Sequence, residues 1–453
     1  MMWGRRPVRA PPPRRCGGVL WSARVSAPDE DQPAPAASDR RSSGQADIGR
    51  RNFAAVWVAN FITAVGMMGF IPLIPLYLRE LGVSGAESER IWSGVLAAGA
   101  PLMAAFMGPL WGSLGDRVGR KPMLLRANLA IMVFVGCMGL VTSIWQLLAL
   151  RLIQGVFSGF LAPAMTLVSV TAPAERQGRT LGLLQTGVLC GSAIGPLVGG
   201  AVADSLGLRA VFFVCAGTSL VAFLVVALVV VEPPRAAVPK GSLSGPGKLL
   251  RAVAGDLRLL LANRALRGVL LGVFAVRFGA SLIEPVLTLF VETLKGVDPE
   301  RLASQAGLVF SVQVAATVFV TPYWGRLGDR RGPRRVFRLC AAGAALSFGA
   351  QALVTSLPQL LCLRLVCGVF LAGIMPTAYS AASRHSSADQ RGGAYGFTFS
   401  SVILARGLGL LGGGWLAAHV GFAPLFVVGG LLMGAAALVA RMGAARTPLR
   451  SQP

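Results

Sequence analysis

A few charged side chains interrupt long apolar runs of this sequence, and they are the residues best suited to chemistry. A charge inside a membrane-spanning run costs roughly 2.5–3.5 kcal/mol on insertion scales, so it persists only where it has a role. The acid is Glu284, directly before Pro285, where a helix is weakened. The bases are arginines at four positions: Arg151, Arg277, Arg364 and Arg406.

Glu284 is the candidate for reversible proton binding. Arg277 lies seven residues earlier, almost on the same helical face and about 10 Å away along the axis, so a direct pair is not assumed. Our hypothesis is that Glu284 binds and releases a proton, with Arg277 or Arg406 adjusting its proton affinity. The alternative is a partly hydrated carboxylate with a structural role only.

A short glycine-rich, cationic segment occurs twice, each time between two apolar runs. The first copy covers residues 112–121 and the second covers residues 325–335. Such residues also fill ordinary turns, so the weight comes from the repetition, which indicates a duplicated unit. We predict a gating loop whose residues are Gly112, Asp116, Arg117, Gly119, Arg120, Asp329 and Arg330.

Glycines form a stripe along one predicted helix. Residues 187, 191, 195 and 199 are all glycine, so one face carries no side chains and allows a neighbouring backbone to approach closely. Pro196 removes a backbone hydrogen bond and predicts a kink at that point.

Composition favours a membrane protein. Hydrophobic residues make up 54% of the 453 residues and charged residues 14%, and the mean hydropathy is +0.64. The net charge of +24 does not indicate nucleic-acid binding, because the basic residues recur on one side of successive apolar runs. Six of the seven cysteines lie in apolar runs, there is no Cys-x-x-Cys, and only two histidines occur. We therefore predict no metal site and no cofactor.

Twelve apolar runs are each long enough to cross a bilayer as a helix. Placing the N-terminus in the cytosol puts about 34 of the 43 Lys and Arg residues on the cytosolic side, and both termini are then predicted to be cytosolic. The predicted runs are 53–78, 91–111, 123–143, 145–170, 180–203, 209–231, 267–291, 304–325, 338–356, 358–382, 393–418 and 422–441.

The remaining segments divide the chain into domains. We expect a disordered cytosolic tail over residues 1–52, a six-helix bundle over 53–231, a linker over 232–266, a second bundle over 267–441 and a tail over 442–453. The arginine-rich start also fits an organelle-targeting peptide or an over-extended start of translation. Residues 248–261 fit either an amphipathic helix on the membrane surface or a plain connector.

The two bundles share one register. Asp116 and Asp329 are 213 residues apart, and so are Arg151 and Arg364. Gly155 and Gly368, Pro163 and Pro376, and Pro72 and Pro285 keep the same spacing, which becomes 214 after Pro376. The fold class is therefore all-α, with twelve membrane helices in two parallel repeats of six.

On these motifs the chain resembles the major facilitator superfamily from residue 53 to residue 442. Gly112-x-x-x-Asp116-Arg117-x-Gly119-Arg120-Lys121 matches its loop between the second and third helices, and Leu150-Arg151-x-x-Gln154-Gly155 its fourth-helix signature. The fifth-helix residues resemble the drug/proton antiporter branch of tetracycline and multidrug exporters: Gly191, Gly195, Pro196, Gly199 and Gly200. Leu410 replaces the repeat of Pro196, and the acid that several such exporters carry in the first helix is missing.

The resemblance implies roles for these residues. The kinked fifth helix would prevent leakage between the two halves, and Arg151 would act in proton transfer or at an inner gate. A polar network between Arg151 and Asp116 is an alternative. For Arg364, the matching residue of the second half, a purely structural role fits as well as a role in transport.

Polar residues within apolar runs outline a substrate cavity, although each of them also fits packing between helices. Phe274, Phe278, Phe397 and Phe399 are candidate aromatic walls, which suit amphipathic, often planar compounds. The predicted cavity residues are Asn60, Gln154, Gln185 and Gln313.

The resulting expectation is a monomeric, proton-coupled exporter of small hydrophobic compounds in the plasma (inner) membrane. Its partners would be a small-molecule substrate, protons and the lipid bilayer. An exporter or facilitator for one metabolite, such as a sugar, an amino acid or a siderophore, is the alternative. A membrane enzyme is disfavoured because no nucleophile–base pair or cofactor fingerprint occurs, and a scaffold has no use for buried charges.

Overall fold

The computed structural model describes residues 36–171, 177–232, 264–384 and 391–442. The chain divides into two compact units, Met1–Gln45 and Ala46–Pro453. Of the first unit only the helical backbone from Ala36 onward is described. The second unit contains twelve described helical segments long and apolar enough to cross a membrane, from Ile48–Glu80 to Phe422–Val439. This confirms the predicted all-α class with twelve membrane spans.

The first six spans are formed by eight α-helices, because the first and fourth spans are each built from two. Spans 1 to 3 are α1 and α2, α3, and α4; spans 4 to 6 are α5 and α6, α7, and α8. Their bounds are α1 Ala36–Gly69, α2 Ile74–Glu80, α3 Ala86–Val118, α4 Arg120–Met138, α5 Ile144–Phe157, α6 Leu161–Thr171, α7 Gln177–Leu206 and α8 Leu208–Val229.

The last six spans repeat this plan, with the seventh and tenth built from two helices each. Spans 7 to 9 are α9 and α10, α11, and α12; spans 10 to 12 are α13 and α14, α15, and α16. Their bounds are α9 Arg264–Ser281, α10 Leu287–Glu292, α11 Leu302–Arg331, α12 Pro333–Gly349, α13 Leu357–Leu371, α14 Ile374–Arg384, α15 Arg391–Val420 and α16 Phe422–Met442.

The breaks in spans 1 and 7 have a common cause. Each contains a 3-10 turn with proline at an early position, Ile71–Leu73 in span 1 and Glu284–Val286 in span 7. Proline has no N–H to donate, so the α-helical ladder stops and restarts there. Because Pro72 and Pro285 are equivalent in the repeat, the two breaks lie opposite each other. Discontinuous helices facing each other across a repeat interface form the binding sites of many transporters.

Each half has its own hydrophobic core. Residues of the second half, such as Phe348, Phe426 and Leu360, form one large cluster of buried side chains. Two smaller clusters fill the first half, around Tyr77 and Leu184 respectively. Most buried apolar side chains of each half thus pack within that half.

Several predicted boundaries differ from the described helices. The α1 helix begins at Ala36 and thus reaches into the predicted tail, since hydropathy marks the hydrocarbon crossing but not the helix that continues beyond it. The α9 helix begins at Arg264, three residues before the predicted second bundle. Residues 1–35, 233–263 and 443–453, which contain most of both tails and the linker, lie outside the described residues.

Candidate functional site

The break in span 7 positions Glu284. Glu284 is the first residue of the 3-10 turn between α9 and α10. The hydroxyl of Thr288 donates a 2.5 Å hydrogen bond to the carbonyl of Pro72, which joins this break to the one in span 1. The carboxylate is therefore fixed where the two halves meet.

Glu284 binds Arg406 of span 11 directly. Nε and Nη2 of Arg406 donate to Oε2 of Glu284 at 3.2 Å and 3.1 Å. The glutamate side chain is 23% exposed and the arginine side chain 34% exposed. Of the two cations considered from the sequence, Arg406 is therefore the bonded partner, and the pair is open to a small solute or water.

Arg277 contributes charge without a bonded partner. It interacts electrostatically with Glu284, Arg406 and Tyr379. Among the residues that the structure describes, none forms a hydrogen bond with its guanidinium group. Arg277 lies in α9 and Glu284 in the 3-10 turn that follows it, so the two side chains both act on Arg406 without forming a direct pair.

Arg151 is buried and fully engaged inside the first half. Its Nε donates to the carbonyl of Leu96 at 2.9 Å, Nη2 to that of Ala97 at 3.4 Å, and Nη1 to Oε1 of Gln154 at 3.0 Å. The guanidinium carbon also lies 5.3 Å from the ring centroid of Phe70. The charge of Arg151 acts on Arg406, so it belongs to the same electrostatic cluster.

The alternative network between Arg151 and Asp116 is wrong. Arg151 binds the carbonyl of Leu96 in α3, and Asp116 lies twenty residues further along that same helix. At 1.5 Å per residue the two are about 30 Å apart.

Arg364 occupies the equivalent position of the second half with fewer partners. Its Nη1 donates to Oε1 of Gln313 at 2.7 Å. Its Nε and Nη2 are buried and have no hydrogen-bond partner, although the residue is only 2% exposed. The charge of Arg364 acts on Glu284.

The predicted cavity residues fall into two groups. Asn60 and Gln154 are buried within the first half, and Gln154 is occupied by Arg151 and by the sulfur of Met67, so for these two the prediction of a cavity wall is corrected. A buried guanidinium needs an acceptor, and Gln154 on the next turn supplies it. Gln185 and Gln313 are partly exposed, and Gln313 holds Arg364.

Several polar contacts, here called the distal ties, join the halves on the distal side, by which we mean the side of the turns 81–85 and 293–298. One of them is the hydrogen bond from Arg90 to the carbonyl of Ala417. Arg79 donates to both oxygens of Glu292 at 2.9 Å while also binding Glu89. The carboxylate of Asp204 accepts from the backbone N–H groups of Ala303 and Ser304, at the start of α11. Asp204 and Glu292 each lie one residue beyond a predicted apolar run, 180–203 and 267–291 respectively.

The sequence contains a signal for the contact between Arg79 and Glu292. Arg79 and Glu292 are 213 residues apart, so they occupy equivalent positions of the repeat. Opposite charges at equivalent distal ends of the two broken spans face each other across the repeat interface.

The glycine stripe of α7 packs inside its own half. A Cβ on Gly191 or Gly195 would overlap the α1 backbone at Phe61 or Val65, and one on Gly199 would overlap Gly69. This explains the close packing that the stripe predicted. The neighbouring face of α7 makes the contact between halves, where Gly307 lies against the carbonyl of Pro196 and Gly200 against Ala303.

A second glycine contact joins the halves between α3 and α15. Gly94 and Gly414 approach so closely that a Cβ on either would overlap the other's backbone. Leu102 packs on Gly407 deeper in the membrane. The described contacts between halves thus run from the distal ends to about the middle of the spans.

Comparison with known proteins identifies the family. The family model described as Major Facilitator Superfamily matches residues 56–304 and 269–452. The chain belongs to the major facilitator superfamily. The multidrug resistance protein MdtG of Yersinia enterocolitica is 32% identical over 89% of this chain and 95% of its own length. MdtG of Dickeya zeae is 33% identical over 84% and 91%. A bacterial homologue of the human lysosomal transporter Spinster, solved inward-facing and occupied, shares the fold (TM-score 0.67, 16% identity, 89% and 96% coverage).

Membership of the superfamily makes the chain a secondary transporter and not an enzyme, as predicted. It also gives context to the twice-occurring glycine segment, where the prediction of a loop is corrected. The α3 helix continues to Val118 and α4 begins at Arg120, so the turn consists of Gly119 alone, at φ 114°. Gly332, at φ 88°, separates α11 from α12 in the same way. One glycine at positive φ reverses the chain where a side chain would be strained.

The two copies of this segment differ in their surroundings. Glu232 accepts hydrogen bonds from the backbone N–H groups of Arg120 and Lys121 at 2.8 Å and 2.7 Å. In the second copy Asp329 and Arg330 are exposed. The side chains of Asp116 and Arg117 lie outside those that the structure describes, although the backbone of both residues and of Gly112 is part of α3.

Proposed function

We propose that the protein exports small hydrophobic or amphipathic compounds by alternating access. Its relatives are named multidrug resistance proteins, and the chain covers 95% and 91% of the two compared above. The repeat interface supports this mechanism, because the two halves meet at broken helices close to a cluster of interior charges. Rocking the halves about this cluster exposes it to one side of the membrane and then to the other.

We further propose that export is coupled to proton entry through Glu284. The observation that carries this proposal is the bond between Glu284 and Arg406, 3.1 Å long and partly exposed, at the break of span 7. An ionised Glu284 is stabilised by Arg406, whereas proton binding weakens that attraction. Protonation therefore changes a contact between spans 7 and 11, which are the spans expected to move with the second half.

The charge distribution supports an orientation. We propose that both termini and the basic segment around Arg120 and Arg330 are cytosolic, in the inner membrane of a bacterial-type cell. The distal ties then form the closed extracytosolic end, and the cavity opens to the cytosol. A monomer is sufficient for this cycle because each chain contains both halves.

Two groups of predicted residues keep a proposed role. We propose that Asp116 and Arg117, with their repeat equivalents Asp329 and Arg330, close the cytosolic side when the distal side opens. Gln185 and Gln313 are proposed to line the substrate cavity, since both are partly exposed within spans.

Transport into everted membrane vesicles tests the coupling. Vesicles containing the wild-type protein are given an acidic lumen, and uptake of ethidium and a panel of amphipathic dyes is measured with and without nigericin, which removes the pH gradient. We expect gradient-driven uptake by the wild type. Glu284→Gln should lose the dependence on the gradient, because the amide cannot exchange a proton.

A matched variant controls for surface carboxylates. Glu300→Gln removes an exposed acid on the distal side and should transport like the wild type. Full gradient dependence in Glu284→Gln would remove Glu284 as the proton site. Uptake of one metabolite only, insensitive to nigericin, would favour a dedicated facilitator instead.

A further inference from the structure

The membrane interior of this protein has a large excess of positive charge. Among the described residues well inside the spans, four guanidinium groups share one carboxylate, Glu284. Electrostatic interactions connect Arg406 with Arg151 and Arg277. They also connect Glu284 with Arg277 and Arg364. Burying charge without compensation is strongly unfavourable, so the remaining positive charge needs a partner.

The four guanidinium groups are compensated to different degrees. Arg151 has three acceptors inside the first half, and Arg406 has Glu284. Arg364 has one acceptor and two buried nitrogen atoms without any. Arg277 is partly exposed, and no described residue forms a hydrogen bond with it. The uncompensated charge is therefore concentrated around Arg277, and the two unpaired nitrogen atoms of Arg364 add to it.

Two aromatic residues flank Arg277 along α9. Phe274 and Phe278, on the same helix as Arg277, stack with ring centroids 6.0 Å apart and planes 16° apart. Both rings are partly exposed. A cation and two aromatic rings on the same helix match a molecule that has an acidic group on a flat apolar body.

We propose that Arg277 is an anion-binding subsite and that the exported compounds are amphipathic organic anions, such as aromatic carboxylates. The acidic group binds the guanidinium group of Arg277, and the apolar body lies against Phe274 and Phe278. The proposed proton site, Glu284, is paired with Arg406, so the proton and the substrate use different guanidinium partners. This inference rests on the proposed export function and specifies its substrate class.

The driving forces agree with this assignment. Exchange of one outgoing monovalent anion for one incoming proton moves two positive charges inward per cycle. Both the pH gradient and an inside-negative potential therefore favour export of an anion. A neutral compound exchanged in the same way moves only one charge.

Binding of a matched pair of probes tests the subsite. The full-length protein in nanodiscs is titrated with 1-pyrenebutyrate and with 1-pyrenebutanamide, its neutral isostere, and pyrene anisotropy is recorded. We expect the acid to bind at least tenfold more tightly than the amide. Arg277→Gln should remove this preference while leaving amide binding unchanged, which also shows that the variant is folded.

Two further variants keep the test decisive. Arg277→Lys retains the charge and should retain most of the preference for the acid. Arg301→Gln removes an exposed arginine of the distal turn and should behave as the wild type. Equal affinities of the wild type for both probes, or a preference that survives Arg277→Gln, would overturn the subsite.

Transport separates this proposal from the function on which it rests. In proteoliposomes with a valinomycin-set potential, export of the acid should rise more steeply with potential than export of the amide. Export of the amide without any preference for the acid would overturn the anion subsite and leave the exporter intact. Preferential binding of the acid without transport of either probe would overturn the exporter instead.

Discussion

The two halves of this transporter carry an arginine at the same position of the repeat and surround it differently. Arg151 donates to two backbone carbonyls of α3 and to Gln154, all within the first half. Arg364 donates to Gln313 alone and keeps two buried nitrogen atoms without acceptors. All three guanidinium nitrogen atoms of Arg151 thus have an acceptor, whereas only one nitrogen atom of Arg364 has one.

The other interior charges follow the same division. Arg277, Glu284 and Arg406 all belong to the second half, and the equivalent positions of the first half hold Ala64, Ile71 and Ser192. The first half therefore contains a closed polar network around Arg151, whereas the second half contains the charged groups Arg277, Glu284 and Arg406. We infer that the first half acts as a frame against which the charged second half moves.

The largest expected effect contrasts the two arginines directly. Arg151→Met removes three hydrogen bonds of a buried charge and leaves Gln154 unpaired, which should cost about 2–4 kcal/mol of stability. Arg364→Met removes one hydrogen bond together with two unsatisfied donors, so its effect should stay within about 1 kcal/mol and can be stabilising. Thermal unfolding of both purified variants in the same detergent measures the difference. Equal losses of stability in the two variants would contradict the inference that the first half is a frame and the charged second half moves against it.

A smaller effect is expected where the halves meet by opposite charges. The side chains of Arg79 and Glu292 are 41% and 40% exposed, so their pair contributes no more than about 0.5–1 kcal/mol to distal closure. Arg79→Glu replaces this attraction by repulsion from Glu292 and Glu89 and should increase the open population several-fold. Because the two positions are equivalent, exchanging the charges in Arg79→Glu/Glu292→Arg should restore part of the closure.

Distance measurements report on this population. Spin labels at Ser205→Cys and Glu300→Cys lie on the distal ends of different halves, and the exposed Cys137 and Cys362 are replaced by serine. Double electron–electron resonance should show a longer distance in the single variant and a return toward the wild-type distance in the exchanged pair. An unchanged distribution in Arg79→Glu would assign distal closure to the other contacts between the halves, which include the glycine contacts and the hydrogen bonds of Arg90 and Asp204.

The sequence predicted the elements that follow from local chemistry. The apolar runs gave the twelve spans, because hydrocarbon thickness fixes their length. Proline at positions 72 and 285 marked the region where both breaks occur, and the shared register predicted the repeat. The glycine stripe of α7 predicted a close helix contact, but its partner, α1 of the same half, depends on tertiary packing that spacing does not encode.

The partners of the interior charges were harder to predict for the same reason. Glu284 and Arg406 are far apart in the chain, and no local pattern distinguishes Arg406 from Arg277 as the bonded cation. Gln154 resembles a cavity residue by its polarity, although its position one turn from Arg151 assigns it to that guanidinium group. Arg79 and Glu292 show that the repeat itself carries information about pairing. Neither position alone indicates a partner, but the two are equivalent in the repeat and have opposite charges.

The smallest effect is expected at the turns of Gly119 and Gly332, where one glycine separates two helices in each half. Glu232 accepts from the backbone N–H groups of Arg120 and Lys121 and thus caps α4, whereas α12 begins with Pro333, which has no N–H to cap. Glu232→Gln weakens the favourable interaction of a carboxylate with a helix N-terminus by about 0.3–1 kcal/mol. Hydrogen exchange at the first turn of α4 should therefore accelerate by about two- to five-fold, while the first turn of α12 is unchanged. Equal acceleration in both turns would show that Glu232 acts on the whole fold and not as a cap specific to the first half.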